Sequence, residues 1–488
     1  MRTRKILLRI GAPIKVLAFI LLFVFMFQAV TNLFRIKREY NSIAPLYDLP
    51  KDDIDVLLFG SSHINSGILP LEIWDKYGIT SFNAGTGDST IMMNYYEMRE
   101  IFRVCHPKVA VLDIYRVYLD KKLSGRITLH YFTDNVPISA GVIEGIHDML
   151  PERRDKTEYY LNLYSFHNRW KELTEADFRP DAVFDPNMLF SMGAYMGFYV
   201  STVPTQEPEW IPKDQTEEIP ELNREYLLKI IELCRSENIP LLLTTLPYGA
   251  DQKNQGLTNA VEAIAREEGV PFLNYLDILD EIGFDLMTDL GPSTHLNYKG
   301  AVKASDRLGE YLKEHYDLED RRGNSKIAKI YNKSMERYRI NVDDLQLRQE
   351  REPEGYFNYI NSRDYVVMWN AFCDNGLAST GFDALMLQAG FSETASENAK
   401  SYCALTRKGE TLFDKASSKQ INHSEVEADT LFSFGKGLQA SQAKNGVHVG
   451  AKEYSKGQSD LNIVVFDPRI NAVIDSVNIN LDTAALTR

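Results

Sequence analysis

Between about residues 52 and 315, short β-rich runs alternate with stretches of helical periodicity. The runs are Asp55–Phe59 (DVLLF), Val109–Ile114 (VAVLDI), Pro240–Leu246 (PLLLTTL) and Val270–Tyr275 (VPFLNY). Helical spacing fills the intervals, as in Met92–Arg103 and Asn223–Arg235. Strands that alternate with helices predict an α/β fold, a three-layer α/β/α arrangement around a parallel sheet covered on both faces. In such sheets ligands bind beyond the carboxyl ends of the strands. Motifs that directly follow a strand therefore carry the most weight.

At 488 residues the chain exceeds what one ordinary core organises, so further domains are expected. Asp317–Arg351 is charged and helix-favouring and reads as a closing segment or spacer. Beyond Pro353 the texture changes. Strands are expected at Asp364–Phe372, Leu461–Phe466 and Ala472–Val477, with one helix near Phe382–Leu387. The turn Asp467–Asn471 makes a β-hairpin of the last two strands. The expected division is 1–40 as a cytoplasmic tip and transmembrane anchor, 41–350 as the α/β domain with its closing helices, and 351–488 as a smaller β-rich domain.

The anchor follows from Val16–Val30 (VLAFILLFVFMFQAV), which carries no charge and continues through Leu33–Phe34 to about bilayer-crossing length. Arg2, Arg4, Lys5, Arg9 and Lys15 precede it, against Arg35, Lys37 and Arg38 after it, which predicts a cytoplasmic N-terminus and an extracytoplasmic bulk at the cell membrane. A cleaved signal peptide is the alternative, although no small-x-small cleavage site follows the run. The net charge of -14 argues against a nucleic-acid partner, because phosphate binding needs clustered Lys and Arg. Four cysteines do not make a disulfide scaffold in a chain of this size. Cys105 and Cys234 read as buried thiols; Cys373 and Cys403 either pair or stay separate thiols. No metal-ligand cluster stands out and no cofactor is expected.

Three segments carry groups for chemistry. The first run ends in Gly60-Ser61-Ser62-His63, where glycine and small residues allow a sharp turn that presents a hydroxyl at the sheet edge. A serine there is a nucleophile if a base reaches it. Phe82–Thr90 (FNAGTGDST) ends another short strand and opens the helix at Met92. Its glycines let backbone N–H groups converge on an oxyanion, while Ser89 or Thr90 serves as N-cap. In Asp289–Asn297, His295 supplies a base with a pKa near working pH, and Asp289 is placed to orient its ring. His130–Ser139 is dense in polar and turn residues and reads as an ordinary capped loop. His63 is given no role.

In this order the blocks resemble the SGNH/GDSL hydrolase superfamily over roughly residues 52 to 315. That family places its nucleophile in a Gly-Asp-Ser or Gly-Ser-Ser turn after the first strand, as at Gly60-Ser61-Ser62, and an Asn-containing strand end runs into Gly-Asp, as from Asn83 to Asp88. Its histidine stands just before a C-terminal helix, as at His295-Leu-Asn-Tyr-Lys-Gly300-Ala. The resemblance implies Ser62 as nucleophile, His295 as base and Gly87 as oxyanion donor. Two departures stand out. Where the family supplies Asn after the VAVLDI strand, this chain has Tyr115-Arg116-Val117-Tyr118. Arg116 is the candidate replacement donor, with a structural ion pair as its alternative. Where the family favours Asp three residues before the histidine, this chain has Pro292, which leaves Asp289 or a backbone carbonyl to orient His295.

Among the family's branches the chain looks like membrane-tethered ones similar to the alginate O-acetylation proteins and the teichoic-acid D-alanyl transfer protein, and His130–Ser139 resembles an acceptor-side loop of that branch. This implies a serine esterase or O-acyl (acetyl) transferase acting on a cell-surface polysaccharide, with a membrane-bound O-acyltransferase as an expected partner. The alternatives are D-alanyl transfer to teichoic acid and a catalytically impaired surface scaffold that binds glycan. The C-terminal part, from Tyr365–Trp369 to Ile474–Ser476, resembles the interleukin-like epithelial–mesenchymal-transition inducer domain, which implies a binding or docking module.

Overall fold

The structure is a computed structural model and describes residues 2–34, 43–47, 49–153, 156–173, 175–178, 209–291, 295–391, 398–435 and 446–488. Two compact units divide the chain, Met1–Tyr338 and Arg339–Arg488. The division falls inside the helix Ser325–Leu347.

The first unit opens with the helix Arg2–Phe34. Within it Ile14–Thr31 has a mean hydropathy of 2.3 and lies almost wholly exposed, with the length and composition of a membrane span or signal sequence. The unit is built on five parallel strands: β1 (Val56–Phe59), β2 (Ser81–Asn83), β3 (Val109–Asp113), β4 (Leu241–Thr245) and β5 (Phe272–Asn274). They lie in the order β2-β1-β3-β4-β5. Each expected strand forms and is one to three residues shorter than the apolar run. β1, β3 and β4 are buried at every position, as a sheet covered on both faces requires. One face (Val56, Leu58, Val109, Val111, Leu242 and Leu273) packs into a core with Ile73 of the helix Pro70–Tyr77 and with Ala304 and Leu308 of the helix Tyr298–His315. Away from that core, Phe59 of β1 meets Phe102 edge-on (ring centroids 5.9 Å apart) on the helix Ile91–Phe102, which packs on the helix Glu221–Ser236. At the amino end of β1, buried Asp55 holds Arg321 by two hydrogen bonds of 2.8 and 2.9 Å, fixing the segment that closes the sheet.

The strand order reverses direction between β1 and β3. In open parallel sheets this switch point, at the carboxyl ends of the strands, is where loops diverge and leave a crevice.

The second unit is antiparallel. Its six-stranded sheet runs in the order Leu486–Thr487, Ala472–Ile479, Asp460–Asp467, Val366–Phe372, Ser401–Arg407 and Glu410–Ser417. The hairpin expected at Asp467–Asn471 forms, with Asp467 opposite Ala472. Val367, Trp369 and Ala371 face a core shared with the helices Pro353–Asn361 and Phe382–Gln388. Alternate residues Val366 and Met368 join Phe432 and Phe434 of a smaller four-stranded sheet. All four cysteines are free, so Cys373 and Cys403 do not pair. In the ladder Cys403 lies opposite Asn370, three residues along the strand from Cys373, a separation of about 10 Å that a disulfide cannot bridge.

Candidate active site

Ser62 stands where β1 turns into the helix Ser62–Gly67. The turn needs Gly60: its φ is +142°, and a Cβ there would lie 3.0 Å from the Asp113 Cβ and 3.0 Å from Ile64. Ser61 caps the helix by accepting from the His63 amide at 3.4 Å. Ser62 becomes the first helical residue, at the sheet's carboxyl edge.

The segment after β2 is laced to this turn. The Thr86 amide donates to the Gly60 carbonyl at 3.0 Å. Asn83, buried at the end of β2, donates to the carbonyls of Ile64 (2.8 Å) and Ile68 (3.0 Å) and accepts from the Gly85 amide (3.0 Å), and Asn65 donates to the Gly85 carbonyl at 2.7 Å. Gly85 has no room for a side chain, since a Cβ would stand 2.5 Å from Ile64. Gly87 is half-buried at the tip, with the Tyr131 ring 3.8 Å from where a Cβ would be. Thr90 then caps the helix Ile91–Phe102, accepting from the Met93 amide at 3.2 Å.

His295 arrives from the far end of the sequence. A bridge between Leu290 and Leu296 closes its loop, and the His295 carbonyl accepts from the Gly291 amide at 2.7 Å. Asn297 caps the helix Tyr298–His315 and ties back to the Thr288 carbonyl at 2.7 Å. The His295 Nε2 lies 2.8 Å from the Ser62 Oγ across 233 residues of sequence. An imidazole nitrogen at that distance can accept the hydroxyl proton and later return it.

The other two sequence candidates are placed differently. The buried Asp289 carboxylate accepts from the Asp285 amide (2.9 Å) and from Lys303 Nζ (2.6 Å), so its hydrogen bonds brace the loop and do not reach the imidazole. A carboxylate six residues away on the other side of a closed bridge faces the helix that follows, and that helix carries Lys303. Pro292 lies outside the described residues. Arg116 follows β3 at the switch point, but its guanidinium is engaged by Asp88 (3.2 Å), Ser124 (3.0 Å) and the Tyr118 hydroxyl (3.1 Å). Within His130–Ser139, His130 pairs with Asp134 at 3.3 Å, and Ser139 caps the helix Ala140–Met149.

Sequence reasoning missed His63. Its ring is buried, stacked on Tyr115 (centroids 3.4 Å apart, planes at 12°), and 5.1 Å from the His295 ring. Burial, and then the neighbouring His295 and Arg116, hold its pKa well below the ordinary imidazole value, so it is neutral at working pH. A helix turns about 100° per residue, so neighbours in sequence point apart, yet at the start of the helix Ser62–Gly67 both Ser62 and His63 lie beside His295. Two buried acids were also missed. Burial raises Glu97, on the helix Ile91–Phe102, to about 8, and Asp113, at the end of β3, to about 7. Neither carries a local signal, since each is a single acid within an otherwise largely apolar segment.

No protein-family model matches the chain. No curated protein matches it either. Solved structures similar to it include a GDSL-like lipase from Bacteroides thetaiotaomicron at 11% identity and a TM-score of 0.29, covering 57% of this chain and 99% of that one. A lipase/acylhydrolase from Enterococcus faecalis is similar at 12% identity and a TM-score of 0.25, covering 54% of this chain and 98% of that one. Similarity at this level assigns no activity; the serine–histidine contact is a property of this chain's own geometry.

Proposed function

We propose that this chain is an extracytoplasmic serine esterase or O-acyl transferase, with an acetyl-bearing cell-surface polysaccharide as its substrate. The observation that carries the reading is the 2.8 Å contact between the Ser62 Oγ and the His295 Nε2. As His295 takes its proton, the Ser62 oxygen forms a bond to the ester carbonyl carbon, and the carbonyl π pair moves onto oxygen. The amides of Ser62 and Gly87 are the proposed donors to that oxyanion. Collapse breaks the bond to the alkoxy group, which leaves with the proton from His295. Water or a sugar hydroxyl then attacks the acyl-serine by the same steps, giving hydrolysis or transfer. The apolar helix Ile14–Thr31 supports a tethered enzyme that receives acyl groups from a membrane-bound O-acyltransferase. D-alanyl transfer to teichoic acid would use the same serine chemistry. The C-terminal unit is proposed to dock glycan.

A non-catalytic glycan-binding scaffold is the second reading, favoured by the engagement of Asp289 with Lys303 and of Arg116 with Asp88. One experiment separates the two. A serine-directed phosphonate should label the chain at Ser62, and Ser62→Ala should abolish labelling and lower acetyl-ester turnover by about three orders of magnitude or more with the melting transition unchanged. An unlabelled wild-type chain would leave the scaffold.

A further inference from the structure

The turn that follows β3 carries more than the ion pair of Arg116. Tyr115–Tyr118 is a single helical turn that directly follows β3 at the switch point. It is held from behind: the buried amide of Asn223 donates to the carbonyls of Val117 (2.8 Å) and Leu119 (2.9 Å). Its two tyrosines continue a series of ring contacts that begins at the base. From His295 the series passes to His63 at 5.1 Å, to Tyr115 at 3.4 Å and to Tyr118 at 5.7 Å. Tyr248 closes on Tyr115 edge-on at 5.0 Å. The inner members are packed, whereas Tyr118 is 37% exposed. Arg116 fixes the outer ring from one side, with its guanidinium carbon 5.8 Å from the Tyr118 ring centre and one N–H on the phenol oxygen at 3.1 Å. The same guanidinium reaches Asp88, the residue after Gly87, whose side chain is 66% exposed.

We infer that this ring series is a saccharide subsite, in which Tyr118 stacks on the pyranose that carries the ester while Asp88 and Arg116 bind its hydroxyl groups. The inference deepens the esterase or transferase reading of Ser62 and rests on it for the ester's position. A pyranose presents a C–H face that packs on an aromatic face, and equatorial hydroxyls that need planar donors and acceptors at the ring's edge. An exposed tyrosine framed by a guanidinium and a carboxylate supplies both. A fatty acyl chain would instead need an unbroken apolar channel, which the charged frame of Tyr118 interrupts. His63 is the positioning residue of this wall. Being neutral, it serves as a flat stacking surface between Tyr115 and the base, and it adds no cation beside His295.

The test compares two acetyl esters on the full-length chain in detergent, p-nitrophenyl acetate and the monoacetate of methyl glucopyranoside. Tyr118→Ala should lower kcat/KM for the sugar ester about tenfold more than for the aryl ester, through KM, and Tyr118→Phe should restore most of the loss. Equal losses on both esters, or no loss on either, would overturn the subsite. Binding of the sugar monoacetate to the Ser62→Ala chain separates the two ideas. If the wild-type chain turns over neither ester, but the sugar monoacetate binds and its binding falls about tenfold on adding Tyr118→Ala, the subsite stands and the esterase reading fails. If the sugar does not bind, or Tyr118→Ala leaves binding unchanged, the subsite is excluded whatever the turnover.

Discussion

Gly60 shows how much of the site depends on one missing side chain. Its φ of +142° and the 3.0 Å approach to Asp113 let β1 turn directly into the helix that presents Ser62. Gly60→Ala should cost about 1–3 kcal/mol by denaturant midpoint. It should also displace the Ser62 hydroxyl from His295, seen as slower phosphonate labelling of the folded protein. Glu97 makes a different prediction. Burial raises its carboxyl from 4.5 to about 8, so the folded chain holds this proton more tightly than the unfolded chain does. The stability tied to that proton is fully present below about pH 4.5 and is lost as pH rises through about 8. Glu97→Gln should therefore be near neutral at about pH 4 and stabilising at about pH 9, by an amount on the order of 5 kcal/mol, at about 1.4 kcal/mol per pH unit. Unfolding curves at the two pH values check it; a variant equally stable relative to wild type at both would refute the buried-acid account.

Among the elements, the loop from Asp285 to Asn297 sets the base. Its ends are fixed by the Leu290–Leu296 bridge, by Asn297 on the Thr288 carbonyl, and by Asp289 held between the Asp285 amide and Lys303. Asp289→Asn should lower the melting transition, because it weakens a buried charge-assisted hydrogen bond worth about 1.5–3 kcal/mol. Turnover by the folded fraction should fall less than about tenfold, far short of the roughly 10⁴-fold loss that a disoriented catalytic histidine brings in serine proteases. A loss of that larger size would return Asp289 to the role of ring orienter. Lys303→Met leaves the Asp289 carboxylate buried without its cation and should destabilise more, by about 3 kcal/mol. Most elements of the first unit were legible because their apolar runs are strong: the expected helix Met92–Arg103 is found at Ile91–Phe102, and Asn223–Arg235 at Glu221–Ser236. The strands Glu410–Ser417 and His423–Glu427 were not, because all their residues are exposed or half-buried and their sequences carry no apolar alternation.

At the scale of the whole chain, a parallel α/β unit ending at Tyr338 and an antiparallel unit from Arg339 share one polypeptide that begins with an apolar helix. If Ile14–Thr31 is an uncleaved span, the mature chain should keep Met1 and stay with membranes through a high-salt wash, since salt screens charge contacts and leaves apolar burial intact. A shortened, freely soluble product beginning after about Val30 would show a cleaved leader instead.

The sequence by itself determined the local features. β1, β3 and β4, the turn at Gly60 and the cap at Thr90 follow from apolar runs, a glycine without a Cβ and a side-chain oxygen next to free amides, all of which act over a few residues. It also singled out Ser62 and His295 as partners, through the order of their blocks. Only the tertiary structure decided which charges meet. Asp289 was nearest to His295 in sequence, but its hydrogen bonds go to Lys303 and the Asp285 amide. Arg116 stood where a donor was wanted, but Asp88 holds it. His63 looked incidental until β3 brought Tyr115 onto its face. Ion pairs and ring contacts depend on distances between elements far apart in the chain, and those distances are set by the sheet order, which no local pattern encodes.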